Sequence, residues 1–127
     1  MKNPSVGFHL LRVGLGITFL SVGVLILRHP DAWGGLLQPW AAGLLPVPLA
    51  QAMVATGLLD AAVGLFLLAG IGVWVAALVG MLHLFVVLLT VGVNDVTVRD
   101  VGLLMASAAL LWQDLADRGV RPFVEQR

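Results

Sequence analysis

Three side chains able to do chemistry stand inside segments that are otherwise apolar. Asp60 lies near the middle of the stretch from Pro48 to Gly70, His83 at a similar depth in the stretch from Ile71 to Val93, and Arg12 in the first stretch, Ser5 to Leu27. A carboxylate at the centre of a membrane-spanning helix costs about 3 kcal/mol on insertion scales, so it needs a partner or a task. Arg12 lies about five residues from the centre of its span, about 7–8 Å at the helical rise, a gap most of which its long side chain can cover. The expectation is therefore an intramembrane network of Arg12, Asp60 and His83. A guanidinium would cancel the carboxylate charge, and an imidazole would accept or donate one further bond. Thr56 and Ser21 are further candidate partners. Two roles remain open for such a network: fixing helix register, or binding a ligand or proton.

Other chemistry is poorer. Arg99-Asp100 opens the last apolar segment and reads as an interfacial cap and anchor, with a site on the outer face near Arg28 and His29 as the alternative. Bis-histidine haem ligation would need two level histidines, and His9 stands about 12 Å from the depth of His83. Asp60 and His83 alone are too few to ligate a metal, so no metal site is expected. No phosphate loop or dinucleotide fingerprint occurs, since Gly14-Leu15-Gly16 reads as helix packing within a span.

Composition sets the frame that must position these groups. Of 127 residues, 60% are hydrophobic and 11% charged, which places the chain in the integral membrane class. Seven basic residues balance seven acidic ones, leaving no basic face for a nucleic acid partner. With no cysteine there is no thiol relay and no thiolate-ligated iron–sulfur cluster.

A bilayer core of about 30 Å needs about 20 apolar residues per helix. The spacing predicts one all-α transmembrane domain, 1–127, with spans at 5–27, 48–70, 71–93 and 98–113, the fourth completed by its polar ends. A short interfacial segment at 29–47, rich in Gly, Pro and Trp, would lie along the membrane surface, and 114–127 would form a cytoplasmic tail. The first segment is too long for a signal-peptide core, and Arg28-His29-Pro30 is unlike a cleavage site. Ile71-Gly72 makes a tight turn, and Asp95 or Thr97 is a plausible N-cap for the last helix. Gly119 marks its end, with Pro122 beyond. Trp33 and Trp40 mark one interface, Trp74 and Trp112 the other.

Small and polar residues recur at spacings of three and four: His9, Arg12, Gly16, Phe19 and Gly23, then Met53, Gly57, Asp60 and Gly64. The third segment gives Ala76, Gly80, His83, Val87 and Thr90, and the fourth Arg99, Gly102, Ala106, Ala109 and Gln113. Such faces let helices approach closely in lipid, and the expected fold is an antiparallel four-transmembrane-helix bundle. Lys2, Arg118, Arg121 and Arg127 outweigh Arg28 and Arg99, so the positive-inside rule puts both termini in the cytoplasm and the chain in the cytoplasmic (inner) membrane.

Residues LLRVGLGITFLSVGVLIL, GLLDAAVGLFLLAG and VRDVGLLMASAALLW together resemble the DoxX-like family of small bacterial and archaeal membrane proteins, over about Leu11 to Leu111. Asp60 occupies what is usually a Glu position there, and Arg28-His29-Pro30 replaces a usual Lys. The resemblance implies a four-helix membrane protein tied to quinone or redox partners, and it carries over no catalytic residue. Three functions then stand open. They are an accessory subunit of a membrane complex, a quinone-linked redox site built on Arg12, Asp60 and His83, and a proton-coupled transporter or channel acting as a homo-oligomer. Partners would be membrane lipid and either other membrane subunits or further copies of the chain.

Overall fold

A computed structural model describes residues 3–120, and all regular structure within them is helical. Helix α1 covers Val6–Arg28, α2 Pro30–Gly34, α3 Pro39–Gly43, α4 Leu49–Ala69, α5 Val73–Val91 and α6 Val98–Asp117. Helices α1, α4 and α5 are long and apolar enough to cross a membrane, the mark of a membrane-embedded, multi-pass protein. Helix α6 has the length, 20 residues, but carries Arg99, Asp100, Asp114 and Asp117 at its ends. Lys2, Arg121, Pro122 and Arg127 lie outside the described residues.

Local chemistry explains the boundaries. Ser5 caps α1, its Oγ accepting from the Phe8 N–H at 3.1 Å. Gly70 ends α4 in the left-handed region, φ +71°, while the Ile71 N–H closes back on Phe66 O at 3.1 Å. Gly72, φ +57°, opens α5 at once, so the tight turn at Ile71 works because a glycine stands on each side of it. Neither Asp95 nor Thr97 gives α6 a side-chain cap. Asn94 instead orders the turn before the helix: its Oδ1 accepts from the N–H groups of Val96 and Thr97 at 2.8 and 3.0 Å. The Thr97 hydroxyl is engaged with Gly92 O and the Asn94 N–H instead. This Asx turn fixes the approach to α6, one oxygen reaching two amides at once. At the far end α6 continues four residues past 113, helped by an Arg118–Asp114 pair at 3.2 Å, and closes at Gly119, φ +83°.

The four long helices pack in a cycle: α1 on α4, α4 on α5, α5 on α6, and α6 back on α1, with the first and third contacts the most extensive. The α1–α4 seam is backbone against backbone. A Cβ placed on Gly64 would fall 2.7 Å from Gly16 O, and one on Gly23 would fall 2.7 Å from Gly57 O. Those glycines are spaced by seven, two turns, so close approach recurs on one face of each helix. Phe19, Val63, Leu67, Ala77, Leu84 and Leu110 fill the core beside this seam.

On α6 the expected face is wrong. Arg99, Gly102 and Ala109 are exposed, while Ser107, Leu110 and Asp114 are buried. Leucines, rather than the small residues, are the apolar bulk of this helix, and they turn inward with Ser107 between them.

Between α1 and α4, helices α2 and α3 form a strap. Gln38 fastens it to the end of α5: its N–H donates to Thr90 O at 3.0 Å and its Nε2 to Val91 O at 3.2 Å. Those carbonyls belong to the last turn of a helix, where intrahelical partners run out.

Candidate ligand-binding site

Asp60 projects from the middle of α4 and is only 4% exposed. His83 comes from the middle of α5, and its Nε2 lies 3.2 Å from Asp60 Oδ1. The two sequence candidates on neighbouring helices are thus brought together. The approach is off the axis along which a ring N–H donates, so the buried Oδ1 has an electrostatic neighbour but no hydrogen bond among the described residues. A buried acceptor in that condition carries a penalty of about 1–3 kcal/mol until something donates to it.

Arg12 does not join the pair. Its guanidinium donates to the carbonyls of Leu67 and Leu68, and stands 3.5 Å from His9 Nδ1. The reason is register. With Gly16 against Gly64 and Gly23 against Gly57, Asp60 stands level with Leu20, eight residues or about 12 Å from Arg12. The unpaired carbonyls at the end of α4 are nearer and take the charge. Of the further candidates, Thr56 spends its hydroxyl on Ala52 O of its own helix, at 3.0 Å, and Ser21 is exposed.

The pair faces a cavity of about 230 Å³ enclosed by all four long helices. Thr56 lies on its wall, one turn from Asp60. Arg99 and Asp100, read from sequence as an anchor at the membrane interface, line the same cavity, and Asp100 is close enough to feel the charges of both Asp60 and His83. They therefore belong to this site rather than to one around Arg28 and His29. The rest of the wall is mostly apolar, with Phe19 and Ile26 from α1, Met53 from α4 and Leu84 from α5, and the hydroxyls of Thr18, Thr90 and Thr97 on it donate to backbone carbonyls.

The strap closes one side with Trp33, Leu36 and Leu37. Sequence reading put Trp33 in an interfacial belt with Trp40 and missed this role. Trp40 is exposed and donates to Gln38 Oε1 at 2.6 Å, whereas Trp33 is half-buried. The available signal was the apolar character of the segment, too high for a surface connection.

A second depression at the opposite end is lined by Phe8, His9, Arg12, Gly70, Asp114, Asp117 and Arg118, of which Arg12, Asp114 and Arg118 are engaged as described. Among the described residues no three His, Asp or Glu side chains stand close enough to hold a metal ion.

Fold and site together define a helical, membrane-embedded protein with an acid–imidazole pair buried beside an apolar cavity. No family model, curated protein or solved structure matches the chain.

Proposed function

We propose that this chain is a DoxX-like accessory subunit of a membrane complex, quinone-linked, whose own task is to hold a small lipophilic molecule in the cavity beside Asp60 and His83. The single observation that carries the reading is a buried acid–imidazole pair, Asp60 and His83, on the wall of a largely apolar cavity. Ligand sites have this composition: apolar walls for affinity and a few convergent polar groups for orientation. A quinone ring suits it, with His83 donating to a carbonyl and Asp60 exchanging a proton.

In this reading α6 is the fourth crossing, about 30 Å long at the helical rise, with its charged residues at the two faces. The long helices are antiparallel, consistent with Gly16 meeting Gly64 and Gly23 meeting Gly57. Both termini are cytoplasmic in the inner membrane, so the strap and cavity end face outward. The chemistry of electron transfer belongs to the larger partner.

The test is gentle affinity purification from native membranes, with mass spectrometry of retained proteins, lipids and quinones. The expected outcome is a larger membrane protein in stoichiometric amount and a quinone that His83→Ala loses. A homo-oligomer without quinone, showing pH-dependent flux in liposomes that Asp60→Asn abolishes, would replace this reading with a proton-coupled transporter.

A further inference from the structure

One half of the bundle is hollow and the other is solid. The cavity is lined by the strap and by the strap-side halves of the long helices, and its inner end lies at the level of Phe19, Asp60 and His83. The depression at the other end reaches in as far as Phe8 and Val73 and shares no residue with the cavity. Along α5, Val73 and His83 stand ten residues apart, about 15 Å at the helical rise. Leu15, Val63, Leu67, Ala77 and Leu110 fill that interval, and none is more than 4% exposed.

No polar chain crosses the interval among the described residues. Ser107 lies within it, fully buried, and its Oγ has no hydrogen-bond partner. Its polar neighbours on the same face of α6 are Asp100 and Asp114, each seven residues away, about 10 Å, with Leu103 and Leu110 between. A proton moves along contiguous hydrogen bonds, and a bare charge in an apolar interior is costly. The strap side differs. Arg99, exposed, and Asp100, half-buried, line the cavity from the first turn of α6. His83 keeps 14% of its side chain accessible against 6% for Asp60, and Asp60 Oδ1 is closed, so the imidazole is the face that the pair presents. These four are the charged or titratable groups on the wall; α1 and the strap add apolar residues and Thr18.

We infer that the Asp60–His83 pair is served from one side of the membrane only. Protons and small polar molecules reach it past Arg99 and Asp100, and the packed half of the bundle seals it from the other side. The inference rests on the four-crossing arrangement proposed above and deepens that reading. A ligand that gains or loses a proton beside the pair exchanges it with the strap-side compartment.

The chain has no cysteine, so one introduced thiol reports one position. Thr56→Cys tests the cavity wall and Ser107→Cys the solid half, while Arg99→Cys and Arg118→Cys mark the two ends. Each full-length variant is made in bacterial cells and treated, as spheroplasts and as everted membrane vesicles, with a membrane-impermeant cationic methanethiosulfonate. Intact-mass spectrometry reads the labelled fraction. Thr56→Cys should label in the preparation that labels Arg99→Cys and stay unlabelled in the one that labels Arg118→Cys. Ser107→Cys should label at least a hundredfold more slowly than Thr56→Cys in both. Labelling of Thr56→Cys from both sides, from the Arg118 side alone, or from neither overturns the inference, as does rapid labelling of Ser107→Cys. Arg99→Cys and Arg118→Cys labelling from the same side would remove the four-crossing arrangement as well. Ala52→Cys on the wall and Ala77→Cys in the solid half repeat the comparison where a first variant does not fold. Quinone retained in the purification above is a separate measurement, so the ligand and the sidedness fail independently.

Discussion

His83 Nε2 and Asp60 Oδ1 stand 3.2 Å apart across the seam between α4 and α5, each near the middle of its helix. Neither helix is independent of the other at that depth, because a carboxylate removed from water needs the compensating charge or dipole beside it. His83→Ala should lower stability in detergent by about 3 kcal/mol, since it strands the acid, while Asp60→Asn should cost about 1 kcal/mol. The double variant should be more stable than the sum implies. Unfolding followed by circular dichroism gives all three values, and strictly additive losses would show that the pair is not coupled.

The glycine seam makes a sharper contrast. Gly64→Ala and Gly23→Ala each force a methyl against backbone of the facing helix, so each should destabilise by about 2 kcal/mol. Gly102→Ala adds a methyl where nothing lies within 4 Å and should be neutral or stabilising by about 0.5 kcal/mol. Thermal unfolding midpoints of the three variants decide it. Equal behaviour of Gly64→Ala and Gly102→Ala would contradict the backbone contact.

Arg12→Gln removes two charge-assisted bonds from the end of α4 and should cost about 1–2 kcal/mol. Because Arg12 is not on the wall of the cavity, quinone retention there should be unchanged once the protein is folded. A matching fall in retention would restore Arg12 to the site.

Gln38→Ala releases the side-chain tie between the strap and Val91 O. Losing about 1 kcal/mol of attachment corresponds to about fivefold more frequent opening. Hydrogen exchange at residues 33–45 should quicken by that factor, and a bound quinone should leave the cavity faster with little change in affinity. Unaltered exchange would show that the strap is held by its apolar contacts alone.

Much of this arrangement was legible in the sequence, for identifiable reasons. Apolar length marks α1, α4 and α5, whose ends fall within two residues of the segments read from composition. The inward faces of α1 and α4 follow from glycine spacing, and Asp60 and His83 meet because both sit at mid-segment on helices joined by a minimal turn. What failed depended on register or competition between neighbours. Arg12 was within reach of Asp60 only if α1 and α4 were offset differently; glycine spacing fixes which faces touch but leaves open which glycine meets which. On α6, small residues and leucines offered two rival faces, and volume decided in favour of Leu110. Thr97 does stand at the N-cap position of that helix, but its hydroxyl is spent on Gly92 O and the Asn94 N–H, a competition that composition does not display. The strap's place on the cavity depends on Gln38 finding the exposed carbonyls of α5, a contact across 53 residues.

The unequal packing around the cycle has a mechanical consequence. Helices α1 and α4 are locked by glycine, α5 and α6 form the next broadest interface, and contacts between those two pairs are sparser. The cavity is walled by both pairs, at the end away from the Gly70–Gly72 turn. A molecule built this way parts like a book, with two stiff covers and a spine of two left-handed glycines. A guest could then come and go between the covers while every glycine contact within them stays shut.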